Sequence, residues 1–275
     1  MSIDKNAPIG VFDSGLGGLT AVRELRRLLP HEDIVYFGDT GRVPYGTRGV
    51  ETIIKYGRQD VAFLLSKNVK YIMAACGTVS STLPKSCTDA LPVTYTGVVQ
   101  SAAAAAVSAT GTGKIGVIGT PATVNSESYN KAIKALLPSA VITANKCPLF
   151  VPLVENGYFD EENKVTHLVA EDYLAPIKAA GVDTLILGCT HYPLIKPIIA
   201  DIMGSGVALI DPGYETAKSA KEYLAVADLL KSSGNGEASY YVSDSTESFE
   251  QLSNWFLGEY AGGNVTQISV DNYEV

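Results

Sequence analysis

Two of the four cysteines stand where a thiol can do chemistry. Cys76 and Cys189 each follow a short apolar run typical of a strand, and each precedes residues that favour the start of a helix. Amide donors and the helix dipole at such a position stabilise a thiolate, so we expect a lowered pKa for both thiols. A lone cysteine is more often a small buried apolar residue, and Cys87 and Cys147, which lack this context, fit that simpler interpretation.

Three further side chains could serve these thiols as acids, bases or positioning groups. Asp13 follows the first apolar run of the chain, and His191 lies close after Cys189, where it could polarise the thiol or protonate a substrate. Glu155 also follows an apolar run and could orient His191. Each has an ordinary alternative: Asp13 as a helix N-cap, His191 as a histidine satisfied at a helix start, and Glu155 as a loop charge. The residues alone leave both interpretations open.

The loop after the first apolar run, with the sequence DSGLGG, superficially resembles a dinucleotide-binding loop. Its spacing argues against that site, because a G-x-G-x-x-G motif from Gly15 needs glycine where Thr20 stands. The glycines still allow backbone N–H groups to approach an anion at the helix start. Hydroxyl groups at Ser14, Thr78 and Thr120 would suit a substrate that carries carboxylates.

A second loop, GDTGRVPYGT at 38–47, is dense in Gly, Pro and Asp, so a turn is its simplest interpretation. Its Pro44-Tyr45-Gly46 segment can also present rigid backbone donors to a small substrate.

Short apolar runs alternate with amphipathic stretches along the chain, a rhythm typical of βαβ units. Such units predict an α/β fold with parallel sheets and helices on both faces. The predicted strands are 9–12, 33–37, 70–75, 93–96, 115–117 and 184–189, and the predicted helices are 19–29, 51–66 and 98–110.

This pattern repeats roughly one hundred residues later along the chain. The segment Ile115-Gly116-Val117 matches Ile9-Gly10-Val11, and the strand before the second candidate thiol matches the strand before the first. Any two βα units resemble each other, but the ordered set favours two related halves. We therefore predict two similar doubly wound parallel-sheet domains, one formed by residues 1–97 plus 211–275 and the other by 98–210.

The tail differs from the repeat. It contains a turn-rich loop at 231–237, a strand-like segment at 240–242, a short helix near 249–257 and a last apolar stretch at 265–270. A segment this short cannot form its own core, so we expect it to pack on the first half.

Composition excludes several classes of protein. The 275 residues are 46% apolar, which favours a globular chain, and the formal net charge of -8 argues against non-specific binding to nucleic acid. The cysteines are too sparse for a disulfide scaffold and wrongly spaced for a zinc ribbon, and no His/Cys cluster indicates a metal. No apolar run reaches the ~20 residues of a membrane helix, and the start lacks the pattern of a signal peptide. We expect a cytoplasmic location.

Along nearly its whole length, from residue 9 to about residue 257, the sequence resembles the glutamate racemases, of the cofactor-independent aspartate/glutamate racemase superfamily. The motifs that carry the resemblance are VFDSGLGGLT, DTGRVPYGTR, AACGTVSS, GVIGTPATV, PLVENG and LGCTHYPL. The resemblance implies two α/β domains of similar topology with the active site in the cleft between them. It also implies catalysis without pyridoxal phosphate, another cofactor or a metal.

Residue roles follow from the same resemblance. The matching thiols are Cys76 and Cys189, supported by Asp13 near the first and by His191 and Glu155 near the second. Substrate contacts of the family map to Ser14, Pro44, Tyr45, Gly46, Thr78, Thr120, Thr123 and Thr190.

One position departs from the family pattern. The family has Cys-Asn-Thr after the first thiol, whereas this chain has Cys76-Gly77-Thr78. Glycine cannot replace the hydrogen bond of the asparagine amide to the bound amino acid. A lost hydrogen bond to a charged ligand costs about 1.5–3 kcal/mol, roughly ten- to hundredfold in affinity. A water or a shifted loop could compensate. The departure therefore bears on affinity and substrate choice, and a large gain in Gly77→Asn would show that it has a cost.

The resemblance predicts a homodimer that interconverts L- and D-glutamate by a two-thiol mechanism and supplies D-glutamate for peptidoglycan. A second hypothesis keeps the mechanism but changes the substrate to aspartate or another acidic amino acid. A third is a thiol hydrolase that uses Cys189 and His191 alone, and a fourth is a binding protein with a degenerate pocket.

Overall fold

The computed structural model describes residues 3–271 and residue 273. Its strands are β1 (Ile9–Asp13), β2 (Ile34–Gly38), β3 (Tyr71–Ala74), β4 (Thr94–Gly97), β5 (Lys114–Gly119), β6 (Val141–Lys146), β7 (Thr184–Gly188), β8 (Ala208–Ile210), β9 (Ala238–Val242) and β10 (Asn264–Gln267). Its helices are α1 (Leu19–Leu28), α2 (Val50–Ser66), α3 (Gly77–Thr82), α4 (Val98–Ala109), α5 (Pro121–Asn125), α6 (Ser128–Leu136), α7 (Phe150–Glu155), α8 (Lys164–Ala179), α9 (Lys196–Met203), α10 (Pro212–Val226) and α11 (Thr246–Leu257).

The strands form two parallel sheets, which confirms the predicted α/β class. The first sheet has the order β10-β9-β2-β1-β3-β4 and the second has the order β6-β5-β7-β8. The order β2-β1-β3-β4 in the first sheet is repeated by β6-β5-β7-β8 in the second, so β3 and β7 occupy equivalent places. The repeat in the sequence therefore corresponds to a repeat in topology.

The central strands β1 and β5 carry the same Ile-Gly-Val segment for a packing reason. Both are buried on both faces, as expected where helices cover a parallel sheet. A Cβ at Gly10 would lie 3.1 Å from Val69, and one at Gly116 would lie 2.9 Å from both Ile177 and Leu185. Glycine thus lets the covering layer approach each central strand closely.

The tail extends the first sheet. β9 pairs with β2 along its full length, and β10 pairs with β9. The residue limits of the two domains stay a prediction, and positions 1, 2, 272, 274 and 275 of the first domain lie outside the described residues. In the described part of the chain, no helix has both the length and the apolar character needed to cross a membrane.

Candidate active site

The first candidate thiol lies at the carboxyl end of β3. Cys76 directly precedes α3, is only 4% exposed, and its thiol donates to Ser14 Oγ at 3.4 Å. Burial, followed by the negative charge of Asp13, raises the pKa of Cys76 to about 12 and outweighs the hydrogen bonds from Ser14 and from the backbone of Val79. The expected lowering of the pKa is therefore wrong for Cys76, because the start of a six-residue helix does not offset the desolvation of a buried thiolate.

Asp13 lies beside this thiol, at the carboxyl end of β1. Its Oδ2 accepts backbone hydrogen bonds from Gly15 at 3.2 Å and Gly18 at 3.0 Å. A Cβ at Gly18 would lie 2.5 Å from the Asp13 Cβ, so the loop closes around the carboxylate only with glycine there. Burial raises the pKa of Asp13, although the positive charge of His191 and these amides oppose the shift. Asp13 is therefore not the N-cap of α1, which is Gly18; it holds the loop before that helix and adds charge next to Cys76.

The second candidate thiol lies at the carboxyl end of β7. Cys189 Sγ is 3.8 Å from His191 Nδ1, and His191 Nε2 is 2.9 Å from Oε1 of Glu155, the last residue of α7. Burial disfavours the imidazolium, but the hydrogen bonds and charges of Cys189 and Glu155 outweigh it and raise the pKa of His191 to about 10. The imidazole is therefore protonated at neutral pH, between a sulfur and a carboxylate.

The glycine loop of the first half forms one wall of this second cluster. A Cβ at Gly17 would lie 2.4 Å from Thr190 Oγ1 and 2.5 Å from the His191 ring. The hydroxyl of Thr20 donates to the backbone oxygen of Thr190 at 3.0 Å. On another side, the ring of Phe256 from α11 meets the imidazole edge-on, with 5.4 Å between centroids. Both halves thus enclose the histidine.

A row of threonine hydroxyls joins the two halves. Thr78 Oγ1 in α3 lies 3.4 Å from Thr120 Oγ1, which lies 3.1 Å from Thr123 Oγ1. Thr120 also caps α5 by accepting from the backbone N–H of Thr123. These three hydroxyls form one polar strip beside the thiol loops.

The loop before α2 reaches the same strip through its backbone. A Cβ at Gly46 would lie 3.3 Å from the Thr120 side chain, so the loop touches the second half there. Pro44, just before it, is exposed. The hydroxyl of Tyr45 instead donates to Asp39 and Asp60 inside the first half. Tyr45 is 1% exposed, so its side chain holds the loop from inside the first half, and its contact with a substrate stays a prediction.

Sequence reasoning missed the buried ion cluster that holds this loop. Arg42 Nε lies 2.6 Å from Asp39 Oδ2, Arg42 Nη2 lies 3.3 Å from Asp60 Oδ1, and the Ser243 hydroxyl after β9 donates to Asp39 at 2.7 Å. Burial, followed by the charge of Asp39, raises the pKa of Asp60 well above its ordinary value. Asp39 and Arg42 belong to the loop noted in the sequence, whereas Asp60 lies within α2, and nothing in its neighbouring residues indicates a contact with that loop.

The residues beside the two thiols touch each other. Gly77 follows Cys76 and Gly188 precedes Cys189, and a Cβ on Gly77 would lie 2.8 Å from the Gly188 carbonyl oxygen. The two thiol-bearing strand ends therefore meet at the boundary between the two sheets. Within the described residues, no group of three or more His, Cys, Asp or Glu side chains is arranged to hold a metal ion.

Comparison with known proteins agrees with this geometry. The family model described as Asp/Glu/Hydantoin racemase matches residues 19–220. A glutamate racemase from Geobacter metallireducens is 44% identical over 264 residues, covering 96% of this chain and 97% of that protein. The chain belongs to the Asp/Glu/hydantoin racemase family. Membership in this family, with glutamate racemases among its similar relatives, makes the chain an isomerase.

Solved structures of family members superimpose over nearly the whole chain. The glutamate racemase of Francisella tularensis, in complex with D-glutamate, matches with a TM-score of 0.90 and 38% identity, covering 98% of this chain and 100% of that one. The glutamate racemase of Thermus thermophilus, in complex with beta-chloro-D-alanine, matches with a TM-score of 0.87 and 42% identity over 97% and 98% of the two chains. The two-sheet architecture is thus that of the glutamate racemases of the family.

Proposed function

We propose that the chain interconverts L- and D-glutamate by moving the α-proton between Cys76 and Cys189. One observation carries the proposal: the residues that flank the two thiols meet across the cleft, at Gly77 and Gly188. Each thiol also has its own polar partners, drawn from its own half of the chain. The similar glutamate racemases, one of them in complex with D-glutamate, support glutamate as the substrate.

The proposed reaction needs two acid–base groups on opposite faces of the α-carbon. One thiolate removes the α-proton and becomes a thiol, which leaves a planar carbanion. The other thiol gives its proton to the opposite face and becomes a thiolate. The thiol and thiolate have then exchanged places, which is the starting state for the reverse direction. No cofactor takes part, because both proton transfers use groups of the chain.

The surroundings of the two thiols differ in charge. Cys76 is buried beside Asp13, which favours its protonated form. Cys189 lies beside the His191 imidazolium, which can donate a hydrogen bond to a negative sulfur. We infer that Cys76 holds its proton in the resting enzyme, ready to be donated.

The weak acidity of the α-carbon demands stabilisation of the carbanion, whose charge spreads onto the α-carboxylate. The candidates for this role are the hydroxyls of Ser14, Thr78, Thr120, Thr123 and Thr190 and the backbone near Gly46. Hydroxyl and amide donors suit a substrate with two carboxylates. We propose that these groups bind and orient glutamate.

The experiment is to follow D-glutamate formation from L-glutamate without added cofactor. Cys76→Ala and Cys189→Ala should each abolish racemisation, whereas Cys87→Ala, at a half-buried site in the loop before β4, should retain it. Intact racemisation in either of the first two variants would disprove the two-thiol mechanism. A hydrolase that uses Cys189 and His191 would not need Cys76.

Parallel reactions in deuterated water separate the substrates. Deuterium uptake at the α-carbon of glutamate, with none for aspartate, would support glutamate, whereas faster uptake by aspartate would favour the second hypothesis. A binding protein would exchange neither. The supply of D-glutamate for peptidoglycan, a cytoplasmic location and the homodimer stay predictions.

A further inference from the structure

The contact between Gly77 and Gly188 leaves no room for a side chain. The Cβ of any other residue at position 77 would lie 2.8 Å from a backbone oxygen, which cannot rotate away as a flexible side chain can. Gly188 is equally constrained, because its own Cβ would lie 2.6 Å from the Ile118 carbonyl oxygen within the second sheet. The two thiol-bearing loops therefore meet through bare backbone.

The contacts of Gly46 and Thr78 with the second half are less strict, and the tight contact at Gly17 is with side chains rather than with a backbone oxygen. A Cβ at Gly46 would lie 3.3 Å from the side chain of Thr120, which can move by a few tenths of an ångström. Thr78 and Thr120 meet through hydroxyls at 3.4 Å. Position 77 is thus a point between the thiol loops where an added methyl group must push the halves apart.

We propose that Gly77 is a positioning residue that sets the separation of the two thiol-bearing loops in the reactive state. The inference rests on the proposed two-thiol function, because both thiols must reach one α-carbon from opposite faces. A side chain at position 77 acts as a wedge that lengthens at least one of the two proton-transfer distances. A displacement of about 1 Å in a reacting group can cost about a hundredfold in rate.

This role differs from the interpretation of the sequence. There, Gly77 was a missing hydrogen bond, and a large gain in Gly77→Asn would have shown that its loss has a cost. In the structure, the asparagine Cβ would meet the Gly188 carbonyl before its amide could serve a substrate. We therefore expect Gly77→Asn to lose activity.

The test compares variants of three glycines that differ in the space available to an added Cβ. Gly49→Ala is the control, because nothing lies within 4 Å of a Cβ there and its φ of -68° suits alanine. We expect Gly49→Ala to keep the wild-type kcat/KM for glutamate, Gly46→Ala to lose a few-fold, and Gly77→Ala and Gly77→Asn to lose about ten- to a hundredfold. Wild-type kcat/KM in Gly77→Ala, or a gain in Gly77→Asn, would overturn the proposal.

A second readout does not depend on activity. Trp255 is the single tryptophan of the chain, lies in α11 of the first half, and packs edge-on against Phe159 of the second half with 5.1 Å between centroids. Its fluorescence should therefore shift when Gly77→Ala separates the halves and stay unchanged in Gly49→Ala. Lost activity with unchanged emission would overturn the proposal that a side chain at position 77 separates the halves, because the variant would then affect only the contact with the substrate. If the wild type does not racemise glutamate, the proposed function fails, and the emission still decides whether position 77 sets the separation.

Discussion

The pairing of Glu155 with His191 gives a prediction whose size follows from the structure. Glu155→Gln keeps the shape of the side chain and removes its charge, 2.9 Å from His191 Nε2. Hydrogen bonds to charged groups contribute about 1.5–3 kcal/mol when desolvated, and exposed ion pairs contribute at most about 1 kcal/mol. His191 is 9% exposed and Glu155 43%, so we expect about 1–2 kcal/mol. The pKa of His191 should fall by roughly one unit and kcat/KM by up to about thirtyfold.

The ratio of kcat/KM for the two enantiomers is fixed by the equilibrium between them. Enantiomers have equal free energies, so any variant changes kcat/KM equally for L- and D-glutamate. The asymmetry appears instead in the deuterium isotope effect measured with α-deuterated substrates. Weakening the Cys189 side makes proton transfer at that thiol slower, so the isotope effect should rise for the enantiomer from which Cys189 takes the proton and fall for the other.

The control and the refuting result use the same measurement. Glu162→Gln removes the same charge from an exposed residue in the loop after α7 and should leave rates and isotope effects unchanged. Equal changes in the isotope effects for both enantiomers of Glu155→Gln would refute the reasoning, because the perturbation would then not be confined to one thiol.

Three further predictions concern charge and packing. The charge of Asp13 is the second largest cause, behind burial, of the raised pKa of Cys76, and Asp13→Asn removes it. Cys76 should therefore be alkylated faster at alkaline pH, as followed by peptide mass spectrometry. The pKa of His191 in the folded protein, about 10, exceeds its ordinary value of 6.5. The contribution of the protonated imidazole to the free energy of unfolding is therefore fully present below about pH 6.5 and is lost as the pH rises through 10. Urea unfolding should show this loss in the wild type and not in His191→Gln. Gly116→Ala, 2.9 Å from two core side chains, should lower the free energy of unfolding by about 1–3 kcal/mol, whereas Gly206→Ala, in open space, should not.

The central strands could be predicted from the sequence because buried strands of a parallel sheet consist mostly of apolar residues. β1, β5 and β7 are continuous apolar runs, and the structure confirms them with small shifts in their ends. No strand was predicted at β6, Val141–Lys146, because this edge strand is mostly exposed and carries a mixed pattern. No helix was predicted over α8, whose sequence contains Pro176.

The site was predictable where it depends on strand ends, and not where it depends on packing between elements. The carboxyl ends of neighbouring parallel strands share one edge, which brings Asp13 close to Cys76. The direction of the Tyr45 hydroxyl depends on Asp60 in a separate helix, and the raised pKa of Cys76 depends on burial by the whole fold. Neither can be inferred from neighbours in sequence.

The return of the tail to β2 has a consequence for the order in which the chain folds. During synthesis from the N-terminus, the strands of the second sheet, β5 to β8, are complete once residue 210 has emerged. The first sheet must wait for β9, so until residue 242 appears the backbone of β2 is an unpaired edge. Such an edge can pair with another chain. The nascent protein therefore carries its aggregation-prone surface on the half that is made first, and a truncation before β9 would make that surface permanent.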